Sequence, residues 1–141
     1  MRDIVSHLNF KRGISPAAAI ADNTAAVSQI LDRIGYESAA FVILTGALAD
    51  ADATFAVTLE HGDQANLSDA AAVPADQMNG SLANAGFTFA ADDQVRKIGY
   101  VGGKRYVRAT VTPSGNAGNA FVAGVWVLGK PNNSPTPAIP N

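Results

Sequence analysis

The chain has 141 residues, 48% of them hydrophobic and 16% charged, which is long enough to bury one core and too apolar for wholesale disorder. A formal net charge of -2 gives no general basic field for nucleic acid. The lack of cysteine removes disulfides, thiol chemistry and the commonest structural zinc sites.

Met1-Arg2-Asp3 leads into a mixed polar stretch and not into an apolar signal region. The longest apolar run, Ala39 to Leu44, is far below the roughly 20 residues a membrane helix needs. The expectation is a soluble protein made in the cytoplasm. In that setting the glycosylation patterns Asn66-Leu67-Ser68 and Asn132-Asn133-Ser134 are idle.

Residues 1–23 show no sustained period, and Gly13 and Pro16 are unfavourable inside a helix. They read as an extended N-terminal arm. Its apolar residues Ile4, Val5, Leu8, Phe10 and Ile14 exceed what a solvated tail carries, so they pack either on the protein's own sheet or on a neighbouring subunit. Side-chain burial of about 1.5–3 kcal/mol each does not offset a backbone cost of about 1–2 kcal/mol per residue. Residues 1–22 and 132–141 are therefore expected to be flexible in isolation and ordered by a partner.

The body is expected over residues 24–130. Thr24 to Ile34 fits both a helical and an alternating pattern, and the strands that follow favour strand, closed by Gly35. Ser38 to Gly46 is a short apolar run that predicts a strand covered on both faces. Ala47 to Ala53 reads as a turn. Thr54 to Glu60 alternates cleanly, with Phe55, Val57 and Leu59 inward, and Gly62-Asp63 ends it. Asn66 to Ala85 is an irregular insertion in which Ser68-Asp69 could cap a short helical turn. Gly86 to Ala90 re-enters as a strand through Phe87 and Phe89.

From Val95 to Thr112 two strand-favouring stretches flank Gly102-Gly103, the signature of a two-residue hairpin turn. Val107, Ala109 and Val111 fall on one side, and Tyr106, Arg108, Thr110 and Thr112 on the other. Arg96, Lys97, Lys104, Arg105 and Arg108 place half of the ten basic residues on this ribbon, interleaved with Tyr100 and Tyr106. After a loop at Pro113 to Asn119, Ala120 to Lys130 is a last strand with two apolar faces. It is either central or turns its Trp126 side to another body. The tail, residues 131–141, holds four of the seven prolines.

Strands at roughly 8–12-residue spacing without a long helix predict an all-β, antiparallel β-sandwich of about seven strands with an arm at each end. Chemistry is nearly absent. His7 and His61 have no nucleophile motif beside them and read as surface imidazoles. Asp50 with Asp52, and Asp63 with Asp69, read as turn acids before they read as a Ca²⁺ site, and Asp92 and Asp93 likewise as solvated turn acids. Gly99, Gly102 and Gly103 lack phosphate-loop spacing. Ile34-Gly35-Tyr36 recurs as Ile98-Gly99-Tyr100, which is too short to mark a duplication. No catalytic, cofactor or metal residue is assigned, and no enzyme can be argued.

The succession Gly35-Tyr36-Glu37-Ser38, Gly62-Asp63, Leu67-Ser68-Asp69-Ala70, and Gly99-Tyr100-Val101-Gly102 through Arg105-Tyr106-Val107-Arg108 resembles small virion structural proteins encoded near the capsid genes of tailed bacteriophages. The resemblance covers about Thr24 to Pro131. It implies a non-enzymatic capsid decoration (cement) protein on the virion surface. Such a protein binds the major capsid protein and copies of itself as a homo-oligomer, and neither nucleic acid nor a membrane. The residues expected to touch partners are Phe10 and Ile14 on the arm and Tyr100, Lys104, Arg105, Tyr106 and Arg108 on the ribbon. Two alternatives stay open: a head-tail connector or tail component, and a carbohydrate-binding sandwich module using Tyr36, Tyr100, Tyr106 and Trp126.

Overall fold

The structure is a computed structural model that describes residues 2–138. Six strands carry the body: β1 (Asn9–Ile14), β4 (Tyr36–Leu48), β5 (Thr54–Gly62), β9 (Val95–Tyr100), β10 (Tyr106–Ser114) and β11 (Ala120–Pro131). The two-residue strands β2 (Ala26–Val27), β3 (Leu31–Asp32), β6 (Ala71–Ala72), β7 (Met78–Asn79) and β8 (Phe87–Thr88) extend the edges. One sheet runs β1-β11-β4-β9-β7 and the other β2-β10-β5-β6, with β3 also on β10 and β8 on β5. All pairings are antiparallel, and the two sheets pack as the expected sandwich.

Alternation builds the core. Phe55, Val57 and Leu59 of β5 and Val107, Ala109 and Val111 of β10 are buried from one side. Phe41, Ile43, Ile98, Tyr100, Trp126 and Leu128 meet them from the other. The Phe41 and Trp126 rings lie 4.7 Å apart at their centroids, and each such side chain contributes about 1.5–3 kcal/mol of burial. Room for Phe41 comes from two glycines. A Cβ at Gly13 would stand 2.6 Å from its ring, and one at Gly124 would strike the same ring.

The stretch from Val95 to Thr112 is not a hairpin. β9 pairs with β4 and β7 in the first sheet, whereas β10 pairs with β5 in the second, so Val101–Arg105 is a crossover between sheets. Type I′ and II′ turns need positive φ, and neither Gly102 nor Gly103 has it. Gly102 is needed for closeness instead, because a Cβ there would lie 2.5 Å from the Tyr100 hydroxyl.

Nor do residues 2–23 extend free of the body. Asn9–Ile14 is an edge strand of the first sheet, in register with β11 from Asn9 opposite Leu128 to Arg12 opposite Val125. Ile20 bridges to Ala120. Of the two packings left open, the one on the chain's own sheet is the one observed. The ordering cost is met by backbone bonds to β11 together with the burial of Ile14. The tail also folds back: buried Thr136 donates its N–H to the Ser6 carbonyl at 2.9 Å and its hydroxyl to the Leu8 carbonyl at 2.6 Å. Its last three residues, 139–141, lie outside the described residues, as does Met1.

Smaller departures have local causes. Thr24 to Ile34 splits into β2 and β3, both on β10. Phe89 leaves the strand and begins a 3-10 turn. The helical turn is capped not by Ser68-Asp69 but by Ser81, whose hydroxyl accepts the Asn84 N–H at 3.1 Å, over Leu82–Ala85.

Candidate functional site

The outer face of the first sheet is unusual for a surface. Outward residues fall in rows across four strands: Phe10, Val127, Ala40, Gly99; then Arg12, Val125, Val42, Lys97; then Ala123, Leu44, Val95. Phe121 and Asp93 extend it beside Gly46. The Phe121 Cβ would stand 3.2 Å from a Cβ at Gly46, and the Asp93 N–H donates to the Gly46 carbonyl. Phe10, Leu44, Val95, Phe121 and Val125 are all exposed, Leu44 by 54% and Val95 by 66%. Across these rows the only charges are Arg12, Lys97 and Asp93. A contiguous apolar patch of this kind marks an interaction surface.

The second sheet has an ordinary outer face. Thr54, Thr58, Thr110 and Thr112 alternate there with buried residues, and Arg108 pairs with Glu60 across β10 and β5. The contrast corrects one expectation and decides another that was left open. Ser38 to Gly46 is covered on one face, with Ala39, Phe41, Ile43 and Thr45 buried and Leu44 in the open. β11 is central, its Trp126 side is core, and the side bearing Phe121 and Val125 is the uncovered one. The signal was present as the two-faced apolarity of both strands. Burial under a second layer and an unpartnered face leave the same sequence trace.

The expected contact residues are dispersed. Phe10 lies on the dry face, and Ile14 is buried. Lys104, Arg105 and Arg108 are each engaged within the chain, with Asp63, Asp32 and Glu60 respectively. Arg105 also sits over the half-buried Tyr106 ring, 5.0 Å from its centroid. Arg96 donates to the carbonyls of Asn84 and Gly86. Tyr100 is 1% exposed and belongs to the core, so it presents no surface.

Its hydroxyl closes a small polar cluster. Tyr100 Oη lies 2.7 Å from His61 Nδ1 and accepts the Lys104 N–H at 3.0 Å, while the Arg33 guanidinium covers its ring. His61 is thus buried, at 7% exposure, and not a surface imidazole. Burial pushes its pKa down, with Lys104 adding to the shift, and burial pushes the Tyr100 phenol up. His7 approaches Ser134 Oγ at 3.2 Å on the surface.

The turn acids bind backbone. Asp69 accepts the Asp63 and Gln64 N–H groups, and Asp50 accepts those of Asp52 and Ala117, which holds both carboxyls below the usual range. Asp92 accepts the Leu48 N–H. Among the described residues no group of three or more His, Cys, Asp or Glu converges as metal ligands. A cleft opens between β1 and the 29–34 segment, lined by Asn9, Gln29, Asp32, Tyr36 and Trp126 among others. Tyr36 is fixed there by its hydroxyl, which accepts from Asn9 at 2.8 Å.

No family model and no curated protein matches the chain. Among solved structures, one match is the CBM22-1 and GH10 modules of Clostridium thermocellum endo-1,4-beta-D-xylanase 10B complexed with xylohexaose, at a TM-score of 0.49 and 10% identity. It covers 97% of this chain and 28% of that one, so this chain spans under a third of that protein's length. The likeness carries no argument about function.

Proposed function

We propose that the protein is a non-enzymatic structural subunit whose dry outer face is buried in a larger assembly. The observation that carries this reading is the row pattern of Phe10, Val127, Val125, Val42, Leu44, Val95 and Phe121 on one side of a sheet whose other side is already the core. Leaving such a patch in water forgoes about 25 cal/mol for each Å² of apolar area that a partner would cover. The resemblance to virion proteins of tailed bacteriophages supplies the setting: a decoration protein on the shell of major capsid protein, working without a cofactor. Gold or fluorescent labelling of particles should find many copies over the capsid surface, and Leu44→Glu should lose that occupancy while folding normally. A handful of copies at the neck would move the protein to a connector role, and hydrolase activity in the purified chain would overturn the reading.

A second reading is a carbohydrate-binding module. The cleft at Tyr36 and Gln29 favours it, since it joins an aromatic edge to an exposed side-chain amide. The burial of Tyr100 and Trp126 removes two of the four aromatics it would have used. A glycan array bound by the wild type and blank for Tyr36→Ala would support it, and an array blank for both would remove it.

A further inference from the structure

We propose that the occupant of the dry face is a second copy of the chain, related by a two-fold axis lying across the strands at the Ala123–Leu44–Val95 row. The proposal rests on the reading of this face as an assembly surface and names its partner. Its motive is charge placement. Asp93 and Lys97 stand at the β9 side of the face, one row to either side of Val95: Lys97 is opposite Val42, and Asp93 is tied to Gly46 in the Phe121 row. Both are exposed, and among the described residues neither takes part in an ion pair.

A two-fold axis through Val95 turns each strand end for end over its copy. Lys97 then meets Asp93 of the partner subunit, and Asp93 meets Lys97 of the partner subunit. Leu44 and Val95 face their own copies at the axis, and Val125 lies over Phe121 of the partner subunit. Arg12, at the β1 edge, faces Ser15 and Pro16 of the partner subunit, where no like charge stands. This is an isologous interface that satisfies both rim charges with one surface. It also matches aligned face-to-face sheet packing, in which two layers meet at about 30°. Other axes fit worse. One across the strands through the Arg12–Val125–Val42–Lys97 row sets each cation against its own copy, and one along the strands midway between β11 and β4 sets Arg12 against Lys97 of the partner subunit.

Four strands about 4.8 Å apart and the three rows centred on the axis, about 6.8 Å apart, give a footprint of roughly 400 Å². A standard interface buries about 800 Å² on each partner. Association is therefore to be sought at micromolar and higher concentration, at low ionic strength where rim pairs are least screened.

Sedimentation equilibrium of the full chain tests this with wild type, Asp93→Lys, Lys97→Asp, the double variant, and an equimolar mixture of the two single variants, with circular dichroism confirming each fold. Wild type should dimerise. Each single variant should weaken the dimer about tenfold or more, because it creates two like-charge contacts at once. The mixture should restore it, since in the mixed dimer both contacts are again opposite in sign, and so should the double variant. Single variants as strong as wild type, or a mixture that stays weak, would overturn this register. A wild type that remains monomeric at the highest concentration would overturn the second copy as occupant. If Leu44→Glu still abolished particle occupancy in that case, the assembly reading would stand alone; if occupancy were unchanged, both would fail.

Discussion

His61 Nδ1 and the Tyr100 hydroxyl, 2.7 Å apart, join the two sheets of the sandwich through their side chains, since His61 belongs to β5 and Tyr100 to β9. The bond sits where the chain crosses from one sheet to the other, under the Lys104 backbone.

Tyr100→Phe keeps the ring and removes the hydroxyl, leaving buried His61 Nδ1 and the Lys104 N–H without this partner. The expected cost is about 1–3 kcal/mol, read as a lower denaturation midpoint with an unchanged slope. A loss below about 0.5 kcal/mol would show that water replaces the hydroxyl.

The same imidazole gives stability a pH dependence. Its pKa is lowered in the folded state, so the unfolded chain binds the proton more readily. Above about pH 6.5 both states are neutral and stability is full, and it is lost as pH falls from there through the lowered folded value. Lys104, Asp63 and Asp69 are the charges around it. Thermal melts between about pH 8 and pH 5 should show this decline, and His61→Gln should flatten it. The turn acids Asp50 and Asp69 act in a separate window, losing their contribution only below about pH 4.

Gly124→Ala should destabilise by about 1–3 kcal/mol, because the new methyl group collides with a ring packed on Trp126. Gly103→Ala, where a Cβ meets nothing within 4 Å, is the control and should stay within about 0.5 kcal/mol of wild type.

Hydrogen exchange should protect the amides of Asn9–Arg12 that bond to β11, to a degree near that of Val107 in β10. Deleting residues 1–14 should then lower stability, since it strips the edge of β11 and removes Gly13, which packs on Phe41. Amides exchanging at the free-chain rate would return these residues to an arm ordered only by a partner.

Much of the body was legible from local chemistry. The alternation of Phe55, Val57 and Leu59 and of Val107, Ala109 and Val111 dictates which side of each strand is buried, because successive side chains must point to opposite faces. Turn residues and strand spacing were enough for an antiparallel sandwich. What only the tertiary structure decided is pairing. Gly102-Gly103 looks the same whether it closes a hairpin or lets the chain pass close to Tyr100 on its way to the other sheet. Asn9–Ile14 has no partner within reach along the chain and finds one in β11, more than a hundred residues on. The dry face was decided there too. The apolar residues of β4 and β11 are visible one by one, but whether a second layer covers them depends on where every other strand goes, and in this fold all the covering strands went to the opposite side.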